Sequence, residues 1–195
     1  MTEIKAGFAL CGSFCTFSKV IPQMKNLKDK GVDVFPVMSE ISYSTDTRFG
    51  RCEDIRREIE DICSRKIIAT VKDAEPIGPK KMFDILIIAP CTGNTLAKLA
   101  LGIADTSVTL AAKAHLRNSR PVLIGVSTND ALGNAAKNIG NLMNYKNVFF
   151  IPMRQDDPKD KPNSIVADFT QLYDSMITAI ENRQIEPVII QPEKS

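Results

Sequence analysis

The chain has 195 residues, of which 44% are hydrophobic and 25% charged, a composition that excludes a mainly disordered protein. Twenty-five basic residues against 23 acidic ones leave a net charge of +2, too small for long-range attraction to nucleic acid. At this length a chain buries roughly 70% of the surface its unfolded form exposes, so a core forms without metal or disulfide staples.

Five cysteines, at Cys11, Cys15, Cys52, Cys63 and Cys91, show neither a CxxC pair nor a zinc-ribbon spacing. A reducing cytoplasm and no metal site are the expectation. The sequence opens without a basic segment followed by a long apolar run, and no apolar stretch nears the ~18 residues of a membrane span.

In chain order, IKAGFAL (4–10) predicts a first strand and 14–29 a helical segment, where Pro22 is expected to kink or split the helix into 14–20 and 22–29. VDVFPVM (32–38) predicts a second strand, followed by a loop over 38–50. Ile55, Ile59, Ile62 and Cys63 recur at helical spacing and place an amphipathic surface helix over 51–65. KIIATV (66–71) reads as a short extra strand, and 72–82, with Pro76, Gly78 and Pro79, as loop.

DILIIAP (84–90) and PVLIGVS (121–127) predict the third and fourth strands, with one helix over 93–116 between them and another over 130–144. NVFFIP (147–152) is the fifth strand. The polar RQDDPKDKPNS (154–164) is read as a connector to a last helix over 165–182. Its length and charge suit a flap over a dicarboxylate, with Arg154 or Lys161 as the cation and Asn163-Ser164 ordering the next helix start. One domain is expected over 1–183, and 184–195, with Pro187 and Pro192, as an extended or frayed tail able to cover a neighbouring protomer.

Most strand runs are continuous rather than alternating, as in strands covered by helices on both faces. The order implies a single-domain, doubly wound, mostly parallel α/β sheet, whose right-handed crossovers bring every strand-to-helix loop to one edge. Ligands in such folds bind along that edge.

Four loops there carry polar chemistry. After the first strand, Gly12 allows close backbone approach and Ser13, beside Phe14, offers a hydroxyl at a helix start, a setting for an anion. Ser39 follows the neighbouring second strand. Thr92, Gly93 and Asn94 follow the third, and Ser127, Thr128 and Asn129 the fourth. A helix cap needs only one such side chain, so clusters favour ligand contact over capping. Cys11 and Cys91 end two strands and read as small packing groups, with Cys15 a turn further on. The single histidine, His115, reads as a helix-surface or subunit-contact residue.

CGSFCTFSK, the serine after the second strand and IAPCTGNTLAKLALGIADTSVT together resemble the superfamily of flavin-containing cysteine decarboxylases, which includes phosphopantothenoylcysteine decarboxylase and the flavin prenyltransferases. The resemblance implies a Rossmann-like, flavodoxin-type three-layer sandwich and a homo-oligomer with its ligand site at an interface between protomers. It also implies FMN, with the phosphate near Gly12, Ser13 and Ser39 and the ring or ribityl chain nearer Thr92, Asn94 and Ser127. GVSTNDALGNAAKNIGNLMNY replaces the decarboxylases' own signature and is similar to an oxidoreductase component of sporulating bacteria. That likeness implies a partner dehydrogenase carrying NAD(P) and a small dicarboxylate substrate, and leaves open whether this chain relays electrons, dehydrates the substrate or stabilises its partner. Residues 40–90 hold no histidine where the decarboxylases have their catalytic one, so no catalytic residue is assigned.

Overall fold

The computed structural model describes residues 3–192. Strand β1 (Lys5–Leu10) pairs in parallel with β2 (Asp33–Met38) on one side and β3 (Ile85–Cys91) on the other, and β3 pairs in parallel with β4 (Val122–Thr128). The sheet has seven strands in the order β2-β1-β3-β4-β7-β6, with β5 (Val148–Phe150) also on β4. The mostly parallel α/β fold is therefore as the sequence implies.

Burial explains the continuous apolar runs. Ala6, Phe8 and Leu10 of β1 enter one core with Ile85 and Ile87 of β3, whereas Ala9, Leu86 and Ile88 enter the other. The first core is covered by α1 (Phe17–Asp29), α3 (Cys52–Cys63) and α8 (Leu172–Ile180), the second by α5 (Gly93–Ala100), α6 (Ser107–Arg117) and α7 (Ala136–Met143). Successive side chains alternate faces, so a strand buried twice must be apolar throughout. At Gly7 an added Cβ would lie 2.4 Å from the Phe83 ring, so glycine there makes room for a fully buried aromatic.

Several local expectations are corrected. Pro22 sits inside an unbroken α1. Its missing N–H forfeits only the bond to the Ser18 carbonyl, on an exposed residue open to water, while Val20, Ile21, Met24 and Leu27 keep the helix packed. The expected helix over 93–116 is two helices. Gly102, at φ +71°, follows the end of α5, and the Thr106 and Thr109 side chains form a reciprocal capping box that starts α6.

Residues 66–71 supply one parallel bridge, Val37 with Ile68, before α4 (Val71–Ala74) and a 3₁₀ turn (Glu75–Ile77) occupy the expected loop. Turns fill 129–135, so α7 begins only at Ala136.

The largest difference is the 154–164 connector, which is an antiparallel hairpin of β6 (Met153–Asp157) and β7 (Lys161–Ala167). β7 returns beside the end of β4, pairing Ser127 with Val166 and Thr128 with Ile165. β5 and β7 thus share one edge of β4, the first parallel and the second antiparallel. Beyond α8, Gln184 brackets Phe150, its side chain accepting from the Phe150 N–H and donating to the Phe150 carbonyl. Ile189 bridges Met153, and residues 193–195 of the expected tail lie outside the described residues.

Candidate functional site

The C-terminal ends of β1, β3 and β4 deliver their loops to one rim, as parallel topology requires. A cavity of about 530 Å³ opens there, lined by Gly12, Ser13, Thr16, Thr92, Ser127, Thr128 and Asn129. That volume lies within the ~300–1,000 Å³ usual for ligand pockets.

At its floor the Ser13, Thr16 and Ser127 hydroxyls form a triangle with each side 2.9 Å. Ser13 and Ser127 stand 114 positions apart in sequence, so only the sheet brings them together. Neither Ser13 nor Thr16 uses its side chain to cap the helical turn it precedes, and the first turn of α1 carries no acidic residue. The Thr16 and Phe17 N–H groups are taken by the Ser13 and Phe14 carbonyls of the preceding 3₁₀ turn (Phe14–Thr16), so what the start of α1 adds beside the hydroxyl cluster is the positive end of its dipole. Cationic Lys19 from α1, Arg48 from the loop before α3, and Lys161 from β7 complete the lining, with Asp156 as a carboxylate among them. The chemistry is that of an anion site: hydroxyl donors ringed by cations. Gly12 stands at the mouth, where an added Cβ would meet nothing closer than Phe14 at 3.6 Å.

A second cavity of about 370 Å³ shares Thr128 with the first and is lined by Gly93, Asn94, Asp130, Asn134 and Asn138. Asn94 is exposed at the start of α5, and Asn138 is only 8% exposed. Each of the three asparagine carboxamides offers donors and an acceptor, so this wall is suited to a hydrogen-bonding ligand. Thr92 is at once a lining residue of the larger cavity and the cap of α5, accepting from the Thr95 N–H.

The predicted residues therefore divide. Gly12, Ser13, Thr92, Ser127, Thr128 and Asn129 line one cavity, and Gly93 and Asn94 line its neighbour. Ser39 shares the rim but turns its hydroxyl to the Ser42 hydroxyl and N–H, capping the short helix α2 (Glu40–Ser44). Phe14 packs on Phe17, ring centroids 5.4 Å apart, and borders Gly12.

Sequence reasoning missed Thr16, Cys15, Lys19, Arg48 and Phe49, all of which line the larger cavity. Thr16 was legible, as a second hydroxyl three residues after Ser13. Arg48 and Phe49 lie in a loop whose place at the rim was expected, but whose side-chain directions no pattern encodes. Lys161 lines the cavity from the hairpin, whereas Arg154 pairs with Asp168 at 3.4 Å.

Cys11 and Cys91 are buried strand-end residues, and burial pushes the Cys11 thiol up to about 11 and Cys91 well above its ordinary value. Both stay protonated and serve as packing. His115 is buried too, contrary to the surface position expected from sequence, and stacks on Phe83.

A larger cavity, about 840 Å³, lies at the opposite edge, between the start of β5 and the chain beyond α8, among Tyr145, Asn147, Gln184 and Glu186. Strand-to-helix loops do not reach that edge, its one lining cation is Lys146, and the Tyr145 hydroxyl is spent on the Ala100 carbonyl, so its size does not make it the site.

Known proteins share this family and this fold. The Flavoprotein family profile matches residues 1–182. The B subunit of dipicolinate synthase from Bacillus subtilis (strain 168) is 44% identical over 187 residues, 96% of this chain and 94% of the relative. The crystal structure of the same dipicolinate synthase component from Bacillus halodurans C superposes with a TM-score of 0.89 at 42% identity, covering 97% of each chain. The FMN-dependent cysteine decarboxylase SpaF shares the fold, with a TM-score of 0.60 at 22% identity over 91% of this chain and 97% of its own.

Proposed function

This chain belongs to the flavoprotein family, and from that premise we propose that it binds FMN at the rim of its sheet and works as the B subunit of a dipicolinate synthase. In this reading the flavin phosphate occupies the roughly 530 Å³ cavity, accepting from the Ser13, Thr16 and Ser127 hydroxyls beside the positive end of α1. Lys19, Arg48 and Lys161 balance its charge. The amide-lined cavity across Thr128 receives the ring edge or a substrate carboxylate through Asn94, Asn134 and Asn138. A bound flavin supplies two-electron redox chemistry. The residues of this chain hold it, orient it and exclude water.

The complex oxidises a dihydrodipicolinate-level intermediate to dipicolinate in the cytoplasm of a sporulating cell. Its other component, the A subunit of dipicolinate synthase, carries NAD(P), and the present chain assembles as a homo-oligomer. The dicarboxylate substrate and the partner come from the relatives' name. The observation that carries the ligand assignment is the hydroxyl triangle, in which three donors from two distant loops converge inside a cationic ring.

Titration of the full chain with FMN and with riboflavin, followed by flavin fluorescence, tests it. FMN should bind at least tenfold more tightly than riboflavin. Ser127→Ala should weaken FMN by about tenfold, the worth of one hydrogen bond to a charged group, and leave riboflavin unchanged. Equal affinity for the two flavins, or no binding of either, would overturn the assignment.

A further inference from the structure

The anion cavity contains its own anion. Asp156 of β6 lines it, and its carboxylate accepts a hydrogen bond from the Lys161 ammonium at 3.1 Å. Both residues sit in the hairpin that β7 anchors to the site strand, where Ser127 and Thr128 pair with Val166 and Ile165.

The hairpin is not a plain ladder. Its register shifts between Gln155 and Asp157, which pair with Ile165 and Lys161, so Asp156 and residues 162–164 fall outside regular pairing. Irregularities of this kind re-aim side chains next to functional sites. Here both ends of an ion pair, and Ser164 with them, are turned to the same cavity. The base of the hairpin is tied down separately. Ser164 donates to the Asn129 side chain at 3.3 Å, and the Asn163 carbonyl accepts from the Leu132 N–H at 3.0 Å. The Asp156–Lys161 contact is therefore not needed to hold the arm in place.

We propose that Asp156 is an affinity-setting residue, an internal competitor that shares Lys161 with the incoming phosphate, so that binding transfers the ammonium from the carboxylate to the phosphoryl oxygens. This rests on the phosphate assignment above. Lys161 has one ammonium and two claimants, and the carboxylate is tethered beside it. Half-exposed charge pairs have modest strength, so the competition lowers affinity by a small factor rather than blocking the site. The arrangement keeps the flavin exchangeable, and it ties the hairpin to occupancy: with phosphate bound, Asp156 is released towards the groove it also lines with Lys19, Arg154 and Gln155.

A double-mutant cycle on the full chain tests this, with FMN as the probe and circular dichroism as the check on folding. Asp156→Asn should tighten FMN about threefold to fivefold in the native background. In a Lys161→Met background, where the ammonium that Asp156 holds is gone, the same change should yield less than about 1.5-fold, in line with the small energies of exposed pairs. An unchanged Kd for Asp156→Asn, or an equal gain in both backgrounds, would overturn the proposal; equal gains would mean that Asp156 acts on the phosphate by repulsion alone. Failure of the unmodified chain to bind FMN would instead overturn the site assignment, so the two are told apart.

Discussion

Acidification should destabilise this fold by roughly 3 kcal/mol through one side chain. His115 in α6 is 2% exposed, its ring lies against Phe83 with centroids 5.7 Å apart and planes 18° from parallel, and its Nδ1 atom is buried without a partner. Burial, and then the Arg120 cation, hold its pKa down to about 4 from an ordinary 6.5, while hydrogen bonding to the Pro121 backbone and the charge of Asp84 pull weakly the other way. Each tenfold change in proton affinity is worth about 1.4 kcal/mol, which gives the total of roughly 3 kcal/mol. The sign follows from which state takes up the proton. Between pH 6.5 and 4 the unfolded chain binds a proton at His115 that the native chain refuses, so stability falls across that window and levels off below it. Urea unfolding of the native chain and of His115→Leu should therefore show a stability difference that is constant above pH 7 and shifts by roughly 3 kcal/mol in favour of the variant by pH 4. The chain has a single histidine, so its imidazole NMR signal can be followed without assignment. A titration midpoint near 6.5, or a pH-independent difference between the two proteins, would refute the reasoning.

The neighbouring glycine gives a complementary test. Gly7→Ala would place a Cβ 2.4 Å from the Phe83 ring, and overpacking of this kind should cost about 1–3 kcal/mol, read as a lowered thermal midpoint. Thr106→Ala removes the side chain that accepts from the Thr109 N–H at the start of α6 and should cost about 1 kcal/mol without altering flavin affinity, since Thr106 lines neither rim cavity. A loss of binding there would show that α6 is coupled to the site.

Strand identity was legible because helices on both faces force a continuous apolar run, as in ILIIAPC of β3, whose every residue is buried. What the runs could not show was where helices stop. Gly102 and the T-x-x-T spacing of Thr106 and Thr109 were visible, yet the surrounding apolar period continues across the break and hides it. The hairpin was illegible for a different reason. MRQDD and KPNSIVA carry charge, proline and little alternation, and they are strands because the free edge of β4 offers them a ladder. Ser13 and Ser127 could be nominated from loop position alone, whereas Ser39, equally well placed by strand order, turns aside to cap its own helix. His115 was misplaced because a single histidine on a helix gives no sign of which face it takes; the partner that buries it, Phe83, belongs to a segment more than 30 positions earlier.

The hairpin hangs from the rest of the sheet by the two residue pairs it makes with β4, yet it places Asp156, Lys161 and Ser164 against the ligand rim. Its outer turn can be lengthened, shortened or recharged without disturbing a core strand. A scaffold built this way separates two tasks: the appendage can be rewritten to change which charges meet a ligand, while the hydroxyl floor stays held by the parallel strands.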